Sequence, residues 1–514
     1  MNFRPILLFA ISMIIADVVA IRVCVSQISR LVVLISLAIF VFASIILTVI
    51  FKRKFLYTII SILIAMLIPF VSVYIKANKI NKNLDLNVEK CEIYGKIYKV
   101  NENLDLNRVD VYLSDVKLLS EDDSLNFYGN YLLRVNSNNL ELSRLETGRY
   151  VKAFTTPNFY SLNTRDRWEI NYISRDIMAS SYIFSYNLSI LDEFNPSLRD
   201  SVRDNVYSYF SKTNTFFTDV GYAMLFGDTS VMEDSVYEVF KSSGTVHLLA
   251  VSGFHISVIV AFLLFVLEKL RANNYLSFGI IATILVFYAY LCDFSVSVIR
   301  ASIMALITMF ASIRNKDSDR LSSMSIAVIF IILLNPIDVF NISFVLSFVS
   351  VLSIILLMPV LERFFSKFLS DKLASGISLS LALSFGVTIF QLYYFGTSPV
   401  LSFISNIITV PLVSILFIFL IISVIIGPMI GLVVPLIEIF GYGIKYILQF
   451  NNWIGEMGLL LVNNHVSEIT LVLSVLLMYS LSDYLFVRRK NKAVIASLFA
   501  GILLALLIFW YKMD

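Results

Sequence analysis

Apolar residues fall in long blocks along this chain. Three blocks open it, at 5–21, 31–51 and 55–75, and a polar stretch follows from about 76 to about 212. From residue 249 onward the chain is apolar almost without a break. Runs near 249–266, 275–293, 295–313, 321–338, 342–361, 375–394, 411–426, 430–450, 469–486 and 493–511 follow one another. Each approaches the ~20 residues that carry a helix across a hydrocarbon core. The pattern predicts a polytopic α-helical membrane protein with about 13 transmembrane helices.

Between 88 and 160 the period changes to two. "CEIYGKIYKV" sets Cys91, Ile93 and Ile97 against Glu92, Tyr94, Lys96 and Tyr98. "RVDVYLSDV" alternates Val109, Val111 and Leu113 with Asp110, Tyr112 and Ser114, and "GRYVKAF" puts Tyr150, Lys152 and Phe154 on one side. Several short strands in so few residues predict an inserted small β-barrel of the OB type. Next, Leu198, Val202, Val206 and Phe210 recur every four residues, the apolar stripe of an amphipathic helix opposite Arg199, Asp200, Arg203 and Asp204. Ser230 and Glu233 have capping-box spacing and predict a second helix start. The organisation expected is 1–75 N-terminal transmembrane helices, 76–195 OB-like domain, 196–243 interfacial helices and 244–514 polytopic domain. Pro399 and Pro411 frame a segment too short to span, which predicts a re-entrant or broken stretch.

Composition agrees with a membrane protein. Of 514 residues, 58% are hydrophobic and only 15% charged, where soluble domains carry about 25%. Cys24, Cys91 and Cys292 lie apart with no CxxC spacing, so neither a disulfide framework nor a zinc site is suggested. No secretory cleavage site follows the first apolar run. The clusters "KRK", "EKLR", "RNKDSDR", "ERFFSKFLSDK" and "RRKNK" fall in alternate loops and are assigned to the cytoplasm. That assignment places the N-terminus inside, the β-domain outside and the C-terminus outside. Residues 76–215 hold 18 Lys and Arg against 19 Asp and Glu, so the region lacks a domain-wide basic footprint. Tyr94, Lys96, Tyr98, Tyr150 and Lys152 nonetheless form an outward face suited to base stacking beside phosphate contacts. A purely structural β-domain fits the same residues, since strands favour aromatics.

The run "GTVHLLAVSGFHISVIVAFLLF" concentrates His247, Ser252, Gly253 and His255 at the entrance to a span. Polar groups in hydrocarbon are costly and normally face a bundle interior or an aqueous path. On an unbroken helix the two histidines stand about 12 Å apart, too far to share one metal ion. Ser252 and His255 lack the nucleophile-elbow pattern and a nearby orienting acid. Interhelical hydrogen bonding explains the same residues. Gly253 is expected to let a helix beginning near Val246 bend or pack closely, beside Arg300. Asp293, Asn335, Asp338, Asn341, Gln391 and Asn406 add further intramembrane or rim polar groups. No catalytic residue, metal or cofactor is assigned.

These residues carry a resemblance. "SGTVHLLAVSGFHISV" resembles the signature of ComEC-type competence proteins, and "LFGDTSVMEDSVYEVFKSSG", "SVIRASIMA", "NPIDVFNISFVLSF" and "SPVLSFISNIITVPL" are similar to that family's other blocks, in order. "GRYVKAFTTPNFY" resembles the end of its external OB-like domain. The resemblance implies a bacterial cytoplasmic-membrane channel that imports single-stranded DNA during natural transformation. It places His247, Ser252, Gly253, His255, Arg300, Asn335, Asp338 and Asn406 along the channel. It also implies a separate DNA receptor and a separate cytoplasmic ATPase or helicase, since no P-loop occurs. Many members carry a metallo-β-lactamase-like domain; no HxHxDH run occurs here, so a nuclease is expected from another protein. Where the family often reads F-Q-L-S-F, this chain has Phe344, Val345, Leu346, Ser347 and Phe348. The rival expectation is a polytopic transporter or enzyme acting on a smaller envelope substrate, which calls for a compact acid/base cluster.

Overall fold

The computed structural model describes residues 5–25, 53–86, 88, 90–103, 108–119, 124–136, 145–162, 166–212, 218–316, 319–430, 434–458, 460–462, 466–484 and 495–502. The apolar run at 31–51 and most of that at 493–511 lie outside the described residues.

In chain order, helices α1 (Pro5–Val25) and α2 (Arg53–Leu84) precede strands β1 (Cys91–Asn103), β2 (Arg108–Leu119), β3 (Ser124–Asn126), β4 (Asn130–Asn136), β5 (Arg149–Thr155) and β6 (Asn158–Phe159). Helix α3 (Arg167–Ser174), strands β7 (Ile177–Ile183) and β8 (Leu188–Phe194), and helix α4 (Leu198–Lys212) follow. Then come α5 (Thr218–Phe226), α6 (Asp234–Ser242), α7 (Gly253–Lys269), α8 (Asn274–Leu291), α9 (Val296–Ile313) and α10 (Arg320–Leu334). The remainder is α11 (Ile342–Phe365), α12 (Asp371–Phe395), β9 (Thr397–Pro399), α13 (Ser402–Ile430), α14 (Val434–Glu456), β10 (Leu460–Val462) and α15 (Glu468–Leu481). Among the described residues five helices are long and apolar enough to cross a membrane: α8, α9, α11, α12 and the Ser402–Ile425 part of α13.

The chain divides into two compact units, Met1–Asn205 with Phe278–Asn341, and Val206–Ser277 with Ile342–Asp514. The first holds a sheet of order β6-β7-β4-β2-β1-β5-β8, with β3 on β2. Every pairing is antiparallel except β4 with β7. The period-two pattern is realised as read: Cys91, Ile93, Ile97, Val109, Val111 and Leu113 are all buried in one core. Bulges between Tyr94 and Lys96 and between Ile97 and Lys99 bend β1 between its two partners.

Helix α2 runs past residue 76, where the polar stretch begins, to Leu84. At 32 residues α2 exceeds the span of a hydrocarbon core, and its polar end belongs to the β-domain side, where Asn83 bonds the backbone of Tyr128 at 2.8 and 3.0 Å. Two sequence expectations need correction. The segment between Pro399 and Pro411 is not a short re-entrant piece. Pro399 closes β9, which pairs with β10, and Pro411 lies within the continuous helix α13. Ser230 does not cap a helix either: its N–H meets Asp228 Oδ1 at 3.1 Å, and α6 starts at Asp234.

Helix α4 exists where the periodicity puts it, but its burial is partly inverted. Leu198 is exposed, whereas Asp200 and Arg203 are buried. Arg199 and Arg203 both pair with Asp293, and Arg203 Nε donates to the Leu291 carbonyl at 2.9 Å. Asp293 and Phe294 hold φ of 54° and 48°, a left-handed turn between α8 and α9 that non-glycine residues seldom adopt. The ion pairs hold that turn in place.

In the second unit, α11 and α12 pack closely. A Cβ added at Gly386 would collide with Ser353 Oγ, so only glycine admits this approach.

Candidate functional site

The run from Gly244 to Phe265 is not one helix. Val246–Leu248 form a 3-10 turn, the chain extends at Ser252, and α7 begins at Gly253. The expected bend at Gly253 is therefore a helix start, with Ser252 as its N-cap residue. His255 Nδ1 accepts the Ser252 N–H at 3.2 Å and lies 3.2 Å from its Oγ. That reciprocal arrangement is a capping box with histidine in the place usually held by Glu or Gln. His255 is fully buried, and its ring meets Phe417 of α13 edge-on at 4.6 Å. His247 is exposed on the 3-10 turn. Among the described residues no three His, Cys, Asp or Glu side chains gather as metal ligands.

What fixes the run lies at its start. Thr245 is fully buried, and its Oγ1 accepts from Asn451 Nδ2 of α14 at 3.0 Å. Asn451 Oδ1 in turn accepts from Thr409 Oγ1 of α13 at 3.0 Å, and Ser243 Oγ stands 2.8 Å from Thr245 Oγ1. Each of these four side chains is buried and bonded, as a stable polar network requires. Gly244 has φ +76°, and a Cβ there would fall 2.5 Å from the Ser402 Cβ. Ser402, Asn406 and Thr409 share one face of α13 by their spacing. Asn406 thus points the same way as the residues that hold the run, and its Oδ1 has no partner among the described residues.

The other expected channel residues lie in the first unit. Arg300 is buried on α9. Asn335 precedes the short turn Pro336–Phe340, and Asp338 lies within it. Asn335 Nδ2 donates to Asp338 Oδ1 and to the Ser174 carbonyl, both at 2.8 Å, and Asn341 donates to Ser174 Oγ at 3.1 Å. Ile337 between them is fully buried in the core of the β-domain. The structure thus makes this turn a clasp on α3.

On the sheet, Tyr94, Lys96, Tyr150 and Lys152 form one patch, with Tyr94 opposite Lys152 and Lys96 opposite Tyr150. Tyr94 and Tyr150 stack at 5.3 Å. The patch is partly occupied by acids: Tyr94 donates to Glu193 at 2.6 Å, and Lys152 lies 3.4 Å from Glu92. The bond to Glu193 pushes the Tyr94 phenol up to about 12. Tyr98 faces Tyr112 instead. A second aromatic patch escaped the sequence reading. Arg134 lies over the Tyr182 ring at 5.0 Å and the Tyr172 ring at 5.7 Å, and exposed Phe184 and Tyr186 stack at 5.5 Å. The run "SYIFSY" was the available signal, three aromatics in five residues.

The family model described as Competence protein matches residues 224–510, more than half of the chain. The chain belongs to the competence protein family. ComE operon protein 3 of Bacillus subtilis is 26% identical over 215 residues, 41% of this chain and 27% of that protein. Recombination protein 2 of Haemophilus influenzae is 26% identical over 211 residues, 38% of this chain and 26% of that protein. The matched part thus spans about a quarter of these relatives' length. No solved structure matches. The competence-family match includes the capping box, the Thr245–Asn451–Thr409 network and α13. The apolar helices suit a membrane location.

Proposed function

We propose that this chain is a membrane channel that passes single-stranded DNA across the bacterial cytoplasmic membrane during natural transformation. The observation that carries this reading is the family match over 224–510, which takes in the opening run and its anchors. The proposed layout has about thirteen spans, the N-terminus inside, and an OB-like β-domain and the C-terminus outside. The sheet order with its parallel β4–β7 pair supports the OB-like reading. A receptor, a nuclease and a cytoplasmic motor are proposed as separate partners. Single strands meet the β-domain first, where Arg134, Tyr182, Phe184 and Tyr186 supply stacking surfaces beside positive charge.

Two measurements test this. Labelled-DNA import should be lost in a strain deleted for this chain and restored by its return. The purified full chain in lipid nanodiscs should bind single-stranded DNA with an affinity that falls as salt rises. Replacing Tyr182, Phe184 and Tyr186 together with alanine should weaken it, at about 1–3 kcal/mol per lost stack. Unchanged import after deletion would defeat the reading.

A further inference from the structure

Asp17 lies in the middle of α1, fully buried, in the otherwise apolar run "SMIIADVVAI". Neither of its carboxylate oxygens meets a hydrogen-bond donor among the described residues. Among the described residues α1 lies against α2, α10 and the 336–340 turn. From the turn, the nearby Asp338 carboxyl repels any charge on Asp17. From α2 the charged group on this side is Lys76; Lys79 and Lys82 are exposed further along. Helix α10 contributes only uncharged side chains from Leu321 to Leu334.

From Asp338 a polar chain leads to the surface. Asp338 Oδ1 accepts from Asn335 Nδ2 at 2.8 Å, and Asn335 Oδ1 accepts from Lys76 Nζ at 2.9 Å. Lys76 Nζ lies 3.4 Å from Asp176, whose side chain is 55% exposed. Burial opposes a charge on Asp338, while Lys76 and Asn335 favour it. Asp17 has no such support, and two like charges in a dry site do not both ionise.

We propose that Asp17 and Asp338 form a proton-binding site within the first unit, opening to water at the Asp176 end. The ligand is a proton. It leaves hydronium as water, and an O–H bond forms on a carboxylate oxygen of the pair. Coupling of this site to transport rests on the import function proposed above.

The full chain in nanodiscs, without DNA, provides the direct test by infrared difference spectroscopy. The wild type should show a protonated-carboxyl C=O band at neutral pH. Asp17→Asn should weaken that band, because Lys76 and Asn335 favour the charged form of the Asp338 that remains. Asp338→Asn and Asp17→Glu should keep it. Absence of the band from the wild type, or an undiminished band in Asp17→Asn, would overturn the site. In cells, Asp17→Asn at normal membrane levels should lose DNA import while Asp17→Glu retains it. Wild-type import by Asp17→Asn would overturn the coupling. Should the wild type itself import nothing, the channel reading fails while the spectroscopic result still decides the proton site.

Discussion

At Gly244 the backbone stands at φ +76°, and a side chain would meet the first turn of α13. Alanine there combines a left-handed backbone, costing about 1–2 kcal/mol, with overlap against Ser402. Gly244→Ala should therefore lower the unfolding midpoint of the detergent-solubilised protein and reduce import. Gly253→Ala, at the first residue of α7, should change the midpoint less, because its backbone is ordinary helix. At His255 the contrast lies between glutamine and leucine. Glutamine reproduces the bond to the Ser252 N–H, while leucine forfeits a cap worth about 1 kcal/mol. A leucine variant as stable as the glutamine variant would refute the cap. The Ser252–His255 pair was visible in sequence because its members stand three residues apart. The Thr245–Asn451 bond was not, because 206 residues separate its ends.

At the scale of the element, α4 shows what periodicity can and cannot say. Four apolar residues at helical spacing located the helix, yet the buried side includes Asp200 and Arg203. The pattern cannot anticipate Asp293, which comes from the α8–α9 turn and makes charge burial tolerable there. Asp200 also caps its own helix, accepting the Ser197 N–H at 2.9 Å and the Ser197 hydroxyl at 2.7 Å. Burial pushes its carboxyl up, but the Ser197 bonds and the Arg199 charge outweigh that and hold it below the usual range. Its contribution is thus complete above the unfolded value of about 3.9, and is lost as pH falls through the lower folded value. Amides in the first turn of α4, corrected for intrinsic exchange, should lose protection over that acidic window. Asp200→Asn should already show reduced protection at neutral pH and little further change on acidification. The β-strands were more legible than α4, because alternation needs no partner to be read: Val109, Val111 and Leu113 point inward in any sheet.

For the molecule as a whole, the lysine and arginine clusters give an orientation that chemistry can check. A cysteine placed at Ser124 should react with an impermeant thiol reagent on intact cells, and one at Lys316 should not. Cys91 and Cys292 are buried, which keeps their background labelling low. Reversed labelling would overturn the layout.

The clasp made by Asn335, Ile337 and Asn341 carries one more consequence, for anyone cutting the chain into pieces. A fragment ending near residue 195 would be a body with a missing plug: its core would gape where Ile337 sits, and the Ser174 carbonyl and hydroxyl would lose both amides that hold them. Transplanting the sheet into a related protein should succeed only if the host's own turn fits that socket, or if residues 335–341 travel with the graft.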